Sequence, residues 1–186
     1  MPYLPSEQVS DLFTRGRIQA EMKLLDQAQR TAGELGVLID HGINKEDRQA
    51  QEYLLGQIEF EKKNYQKAAD LFGKACSRIN FEGGYWGEIG EGAHAPWLDR
   101  LARAFYESGN LDKARTTYEK ITLLTTGRFD HGDIYAKAFY MLGKIAEQQG
   151  DRSRARDNYR KFLDLWKDAD PGLPEIPDAM KRLAAL

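Results

Sequence analysis

The chain has 186 residues, with 27 Lys plus Arg against 29 Asp plus Glu and a net charge of −2. That length holds one domain with a real core. The near-neutral balance excludes the basic field that a nucleic acid or an anionic membrane surface would need, and no apolar run reaches the length that crosses a bilayer. A single cysteine, Cys76, excludes an intramolecular disulfide and fits a reducing, cytoplasmic setting.

In chain order, the opening "MPYLPSEQVSDLF" has no basic stretch followed by an apolar one, so it does not read as a secretory signal. Residues 6–36 are expected to form a degenerate helical hairpin. Val9, Leu12 and Phe13 end its first helix, Gly16-Arg17 make its turn, and Leu24, Leu25, Ala28 and Ala32 belong to its second helix. Residues 49–80 give a clearer hairpin. Leu55, Ile58 and Phe60 share one stripe, Lys63-Asn64 interrupt, and Ala68, Leu71, Phe72, Ala75 and Ile79 recur at helical spacing. Residues 95–126 and 133–167 repeat the unit, as "LARAFYESGNLDKARTTYEKI" and "LGKIAEQQGDRSRARDNYRKF". Pro171, Pro174 and Pro177 then break the helix. Ile176, Met180, Leu183 and Leu186 fall on one stripe of a last helix, 175–186, expected to cap the open end. No β-branched alternation predicts a strand.

Aligned on the turn residues Asn64, Asn110 and Asp151, the units share a small residue upstream (Gly56, Ala102, Gly143). Downstream they share an alanine (Ala68, Ala114, Ala155), an aromatic (Phe72, Tyr118, Tyr159) and an apolar residue (Ala75, Ile121, Phe162). The small residue lets the second helix approach, and the aromatic fills the wider gap one helical turn on. A single hairpin cannot bury both faces, so the units must stack.

This pattern resembles the tetratricopeptide repeat (TPR), over about residues 49–167. The turn residues stand 46 and 41 apart where the family has 34, the excess lying in the connectors, and Glu21 stands where the family has alanine if Gly16-Arg17 are the first turn. The resemblance implies an all-α, right-handed superhelical solenoid of antiparallel helix pairs with a C-terminal capping helix, one domain over residues 1–186. It implies a protein–protein interaction scaffold without catalytic activity or cofactor. The tail, from "EQQGDRSRARDNYRKF" to the end, also resembles the TPR region that ends many bacterial multidomain regulators. The alternative function is therefore a regulatory or self-associating module of a larger bacterial signalling protein.

Family groove positions map onto Tyr53, Gln57 and Phe60, then Asp99, Arg103 and Tyr106, then Tyr140, Lys144 and Glu147. Aromatics interleaved with Arg and Lys suit a peptide or protein segment, unless the capping helix itself fills the groove. The Lys and Asn clamp of chaperone-tail-binding TPRs is not matched, so that partner is not expected.

Other motifs carry less. Gly90, Gly92 and Ala95 fit G-x-G-x-x-A, but no buried strand precedes them, Glu82, Glu88 and Glu91 would repel a pyrophosphate, and no G-K-[ST] follows. The glycines are expected to turn a connector before Pro96, with Tyr85 and Trp86 folding back. His41, His94 and His131 match no metal spacing, and Asp133 is expected to cap the following helix. Cys76 reads as a buried structural thiol. Arg152, Arg154, Arg156, Arg160 and Lys161 scatter over a solvated helix face. A nucleotide- or metal-binding protein is the remaining, weaker alternative.

Overall fold

The computed structural model describes residues 4–42, 47–77, 85–124, 131–169 and 172–186, with side chains from residue 7 and, beyond 77, from residue 95. Every regular element among these residues is an α-helix: α1 (Leu4–Glu21), α2 (Leu25–His41), α3 (Arg48–Glu61), α4 (Tyr65–Ser77), α5 (Tyr85–Glu107), α6 (Leu111–Leu123), α7 (Gly132–Gln148), α8 (Arg152–Leu165) and α9 (Glu175–Ala185). The chain, expected as one stack, divides by contact into two compact units, Met1–Asn80 and Phe81–Leu186. The division falls in the longest interval between turn residues, Asn64 to Asn110.

Four hairpin turns share one backbone device. Lys23, Lys63, Gly109 and Gly150 take the left-handed conformation, with φ of 61°, 63°, 80° and 78°. Each bonds its N–H to the carbonyl three residues back, and the next residue bonds to the carbonyl five back. Lys63 to Phe60 and Asn64 to Glu59 are both 2.9 Å, and Gly150 to Glu147 and Asp151 to Ala146 are 3.0 and 2.9 Å. This pair of bonds closes the helix C-terminus. Asp151 Oδ1 then caps the next helix by accepting from Arg154 N at 3.0 Å, and Asn110 does the same for Lys113 at 3.4 Å.

The first hairpin turns at Met22–Leu24, not at Gly16-Arg17. With Leu24 as the turn residue, Gly16, Ala28, Ala32 and Leu35 fall at the offsets of Gly56, Ala68, Phe72 and Ala75. Gly16 is therefore the small residue of a complete repeat, and Glu21 is not at its alanine position. The turn itself is hidden in the sequence because Leu24 stands where the later turns have Asn64, Asn110 and Asp151. Ala32 replaces the aromatic, and Leu54 of α3 lies over Gly16 instead. A Cβ at Gly16 would come within 2.4 Å of Leu54 Cδ2.

Elsewhere the expected close approach is direct. A Cβ at Gly56 would lie 2.8 Å from Phe72 Cδ1, and one at Gly143 would lie 2.6 Å from Tyr159 Cε1. Both rings are fully buried. In the first unit Ala20, Ala28, Ala32, Leu35, Leu54 and Ile58 form the core, and in the second Ala136, Ala146, Ala155, Tyr159, Phe162 and Ala179 do. Leu54, rather than Leu55, is the fully buried leucine of α3, and Cys76 is buried at 8% exposure.

Three further expectations change. The glycine-rich stretch is helical, within α5, and Pro96 lies inside that helix rather than at its start. Glycine costs a helix about 1 kcal/mol per residue, and this local preference is overridden. The side chains of Tyr85, Trp86 and His94 lie outside the described residues. The N-cap of α7 is His131, with Asp133 in the first turn, where its charge still complements the helix dipole. On α9 the buried residue is Ala179, flanked by the partly buried Ile176, Leu183 and Leu186, while Met180 is 57% exposed.

Two predictions test this packing. Gly143→Ala should lower the stability of the second unit by about 1 kcal/mol, overpacking against the Tyr159 ring outweighing the gain in helix propensity. Gly33→Ala and Gly73→Ala, where an added Cβ meets nothing within 4 Å, should instead raise stability by up to about 1 kcal/mol. Denaturant melts distinguish the two signs. Lys63→Gly should also stabilise, by about 0.5–1 kcal/mol, because it relieves a left-handed lysine, and a fall in the melt midpoint would contradict the assigned turn.

Candidate functional site

In the first unit, the residues mapped to a groove are largely consumed by packing. Tyr53 is 3% exposed, with its ring 5.7 Å from Phe13 and 5.2 Å from Phe72. Gln57 is 1% exposed and donates to Glu21 Oε1 at 3.4 Å. Phe60, half-buried, stacks edge-on against Tyr65 at 5.2 Å. Tyr53 and Gln57 therefore offer a partner almost no surface. The cause is α1, which packs its Phe13 onto the same face of α3.

The second unit is different. Asp99, Arg103 and Tyr106 on α5 face Tyr140 and Lys144 on α7 across a cleft of about 430 Å³. The spacings i, i+4, i+7 on α5 and i, i+4 on α7 put each set on one helix face. Tyr118 of α6 lies at the base, and Glu175 and Asp178 of α9 form one wall. Lys144 Nζ sits over two rings, 5.3 Å from the centroid of Tyr106 and 5.5 Å from that of Tyr140. Such contacts contribute about 0.5–1 kcal/mol at exposed sites.

Glu147 does not line the cleft; it joins a network that docks α9. Tyr159 Oη donates to Glu147 Oε2 at 2.8 Å, and Arg182 Nη1 donates to the same oxygen at 2.9 Å. Arg182 Nε and Tyr140 Oη both donate to Asp178 Oδ2 at 2.6 Å. The capping helix thus reaches the face that carries Tyr140 and forms part of the rim of the cleft. The Tyr140 hydrogen bond, with Arg182 beside it, holds the Asp178 carboxyl below its ordinary range. Burial, reinforced by the carboxylates they bond, pushes the Tyr140 and Tyr159 phenols well above theirs. Burial likewise raises the Asp99 carboxyl, against the opposing charges of Arg103, Arg100 and Lys137.

Lys137, Glu175, Asp178 and Tyr118 were not among the residues expected here. Lys137 continues the stripe of Tyr140 and Lys144 one turn back. Glu175, Asp178 and Arg182 share a polar stripe on α9 that the apolar pattern of that helix masks. Tyr118 occupies the aromatic core position of its repeat, which gives no sign that its hydroxyl borders a cleft. Among the described residues, no group of three or more His, Cys, Asp or Glu is placed to hold a metal ion. His41 Nδ1 is 2.8 Å from the carbonyl of Val37.

A sequence model of the tetratricopeptide repeat family matches residues 93–168. Over those residues the chain is similar to the tetratricopeptide repeat. Its TPR fold is similar to that of a candidate kinesin light chain from Podosopora anserina with nearly identical TPR-like repeats, at 15% identity and a TM-score of 0.72, covering 99% of this chain and 87% of that one. A point-substituted form of that protein aligns with a TM-score of 0.73 at 15% identity, over 100% and 87%. MamA aligns with a TM-score of 0.61 at 20% identity, over 89% and 79%. No curated protein matches the sequence. At these identities the likeness is one of fold alone.

Docking of α9 gives a prediction with a definite sign. A carboxyl whose folded pKa is depressed stabilises above its ordinary range, and that contribution is lost as pH falls through the folded value. The protection factors of the α9 amides, the intrinsic rate at each pH divided by the exchange rate, should therefore fall on acidification below about pH 4. Asp178→Asn should exchange several-fold faster at neutral pH and lose most of the acid dependence. The same acid response in Asp178→Asn and the parent chain would contradict the role given to this carboxyl.

Proposed function

We propose that the second unit is a recognition module, and that its cleft takes an extended segment of a partner protein. The observation that carries this reading is the convergence of Tyr106, Tyr140, Arg103 and Lys144 from two successive first helices on one open cleft. Aromatic rings supply area at low ordering cost, and Arg and Lys supply directed hydrogen bonds, the combination that dominates protein-binding sites. A surface on rigid helices needs little rearrangement to bind. The buried Tyr53 and Gln57 play no direct part in this reading.

Selection from a displayed peptide library tests the reading. Peptides recovered on the parent chain should bind an Arg103→Ala, Lys144→Ala variant at least tenfold more weakly, while circular dichroism shows both folded. Recovered peptides that bind both proteins equally would place recognition elsewhere.

A further inference from the structure

We propose that the floor of the cleft is a pocket for a basic side chain, lysine or arginine, of the bound segment. This rests on the reading of the cleft as a peptide site and names the chemistry it selects.

Two polar atoms lining the cleft are buried without a hydrogen-bond partner: Tyr118 Oη and Glu175 Oε2. Tyr118 is 0% exposed. A polar group left unmet at that depth destabilises the fold unless a ligand satisfies it. The repeat that follows shows how such a hydroxyl is otherwise satisfied. Tyr159 occupies the same repeat position as Tyr118, and its Oη donates to Glu147 at 2.8 Å. The position equivalent to Glu147 in the earlier repeat is Tyr106, whose hydroxyl instead accepts from Gln148 Nε2 at 2.7 Å. Tyr118 is therefore left open by a sequence difference between two otherwise matching hairpins.

The chemistry of the open groups favours a donor. Glu175 Oε1 is 3.6 Å from Lys137 Nζ, but Oε2 can only accept while the carboxylate is ionised. The phenol oxygen of Tyr118 can accept as well as donate. Asp99 lines the cleft with them, and burial raises its carboxyl; a cation placed beside it would favour the charged form.

The charge balance agrees. Asp99, Glu107, Glu175 and Asp178 face Arg103, Lys137 and Lys144, leaving one negative charge over. Counting the adjoining pair Glu147 and Arg182 leaves the same excess. The rings of Tyr106 and Tyr140 already hold one cation, Lys144, which shows that this wall accommodates one. An acidic side chain would meet the same surplus of negative charge and would leave Glu175 Oε2 unmet.

The test uses the whole chain, isotope-labelled, titrated with N-acetyl-Gly-Arg-Gly-amide, the Lys analogue and the Glu analogue at millimolar concentration. The Arg and Lys peptides should shift amides around Asp99, Tyr118 and Glu175, and the Glu peptide should not. Tyr118→Phe should leave thermal stability unchanged or raise it, because an unmet hydroxyl is removed, yet bind the Arg peptide about tenfold more weakly. Equal shifts from the Glu peptide would overturn the basic pocket while leaving the peptide cleft standing. No shift from any of the three would overturn it. So would a Tyr118→Phe variant that melts lower but binds as before, since the hydroxyl would then be structural.

Discussion

The structure depends on one contact, an aromatic ring of a second helix seated on a residue of the first helix that has almost no side chain. Tyr159 on Gly143 and Phe72 on Gly56 both sit where even a methyl group would intrude. The ring needs depth to be fully buried, and the helices need closeness for their alanines to meet. Only a small residue at that one offset grants both. The left-handed turn that follows the small residue sets the register, so that the ring arrives over the gap rather than beside it. Where the ring is missing, at Ala32, the small residue remains and Leu54 from the next helix lies over it. The constraint is thus on the space, and more than one side chain can fill it.

That constraint also decides which helix faces are left uncovered. With the second helix fixed on one side, each first helix turns the face at eleven, seven and four residues before the turn outward. In α3 this face carries Tyr53, Gln57 and Phe60, and it is largely covered by α1. In α5 and α7 it carries Asp99, Arg103 and Tyr106, and Tyr140, Lys144 and Glu147, and it borders a cleft. The same repeat position therefore has two fates, and the neighbouring helix chooses between them. The capping helix divides the second face again: Glu147 and part of Tyr140 go to docking α9, while Arg103, Lys144 and the floor stay open to the cleft.

Much of the fold is legible in the sequence because its determinants are local. Spacing of small, alanine and aromatic residues identifies three hairpins, and Gly109 and Gly150 announce the turns of the last two. The first hairpin reads out of register because Leu24 replaces the polar turn residue and Ala32 the aromatic, while Gly16 looks like a turn and is a packing residue. The glycines before Pro96 mislead in the same way, since turn preference is a small energy that a long helix can override. The site is half legible. Helix periodicity places Arg103, Tyr106, Tyr140 and Lys144 together, because one helix face is a property of one helix. The burial of Tyr53 and Gln57, the role of Asp178 and Arg182, and the open hydroxyl of Tyr118 all depend on contacts between helices far apart in sequence, which no spacing records.

The most direct measurement of the nesting contact is a double-mutant cycle in which Gly143→Ala and Tyr159→Leu are made singly and together, with stability read from denaturant unfolding. If the ring and the small residue share one space, the alanine should cost much less once the ring is gone, giving a coupling of about 1 kcal/mol or more. Costs that simply add would show that the two residues do not constrain one another, and the account of the fold built on them would be wrong.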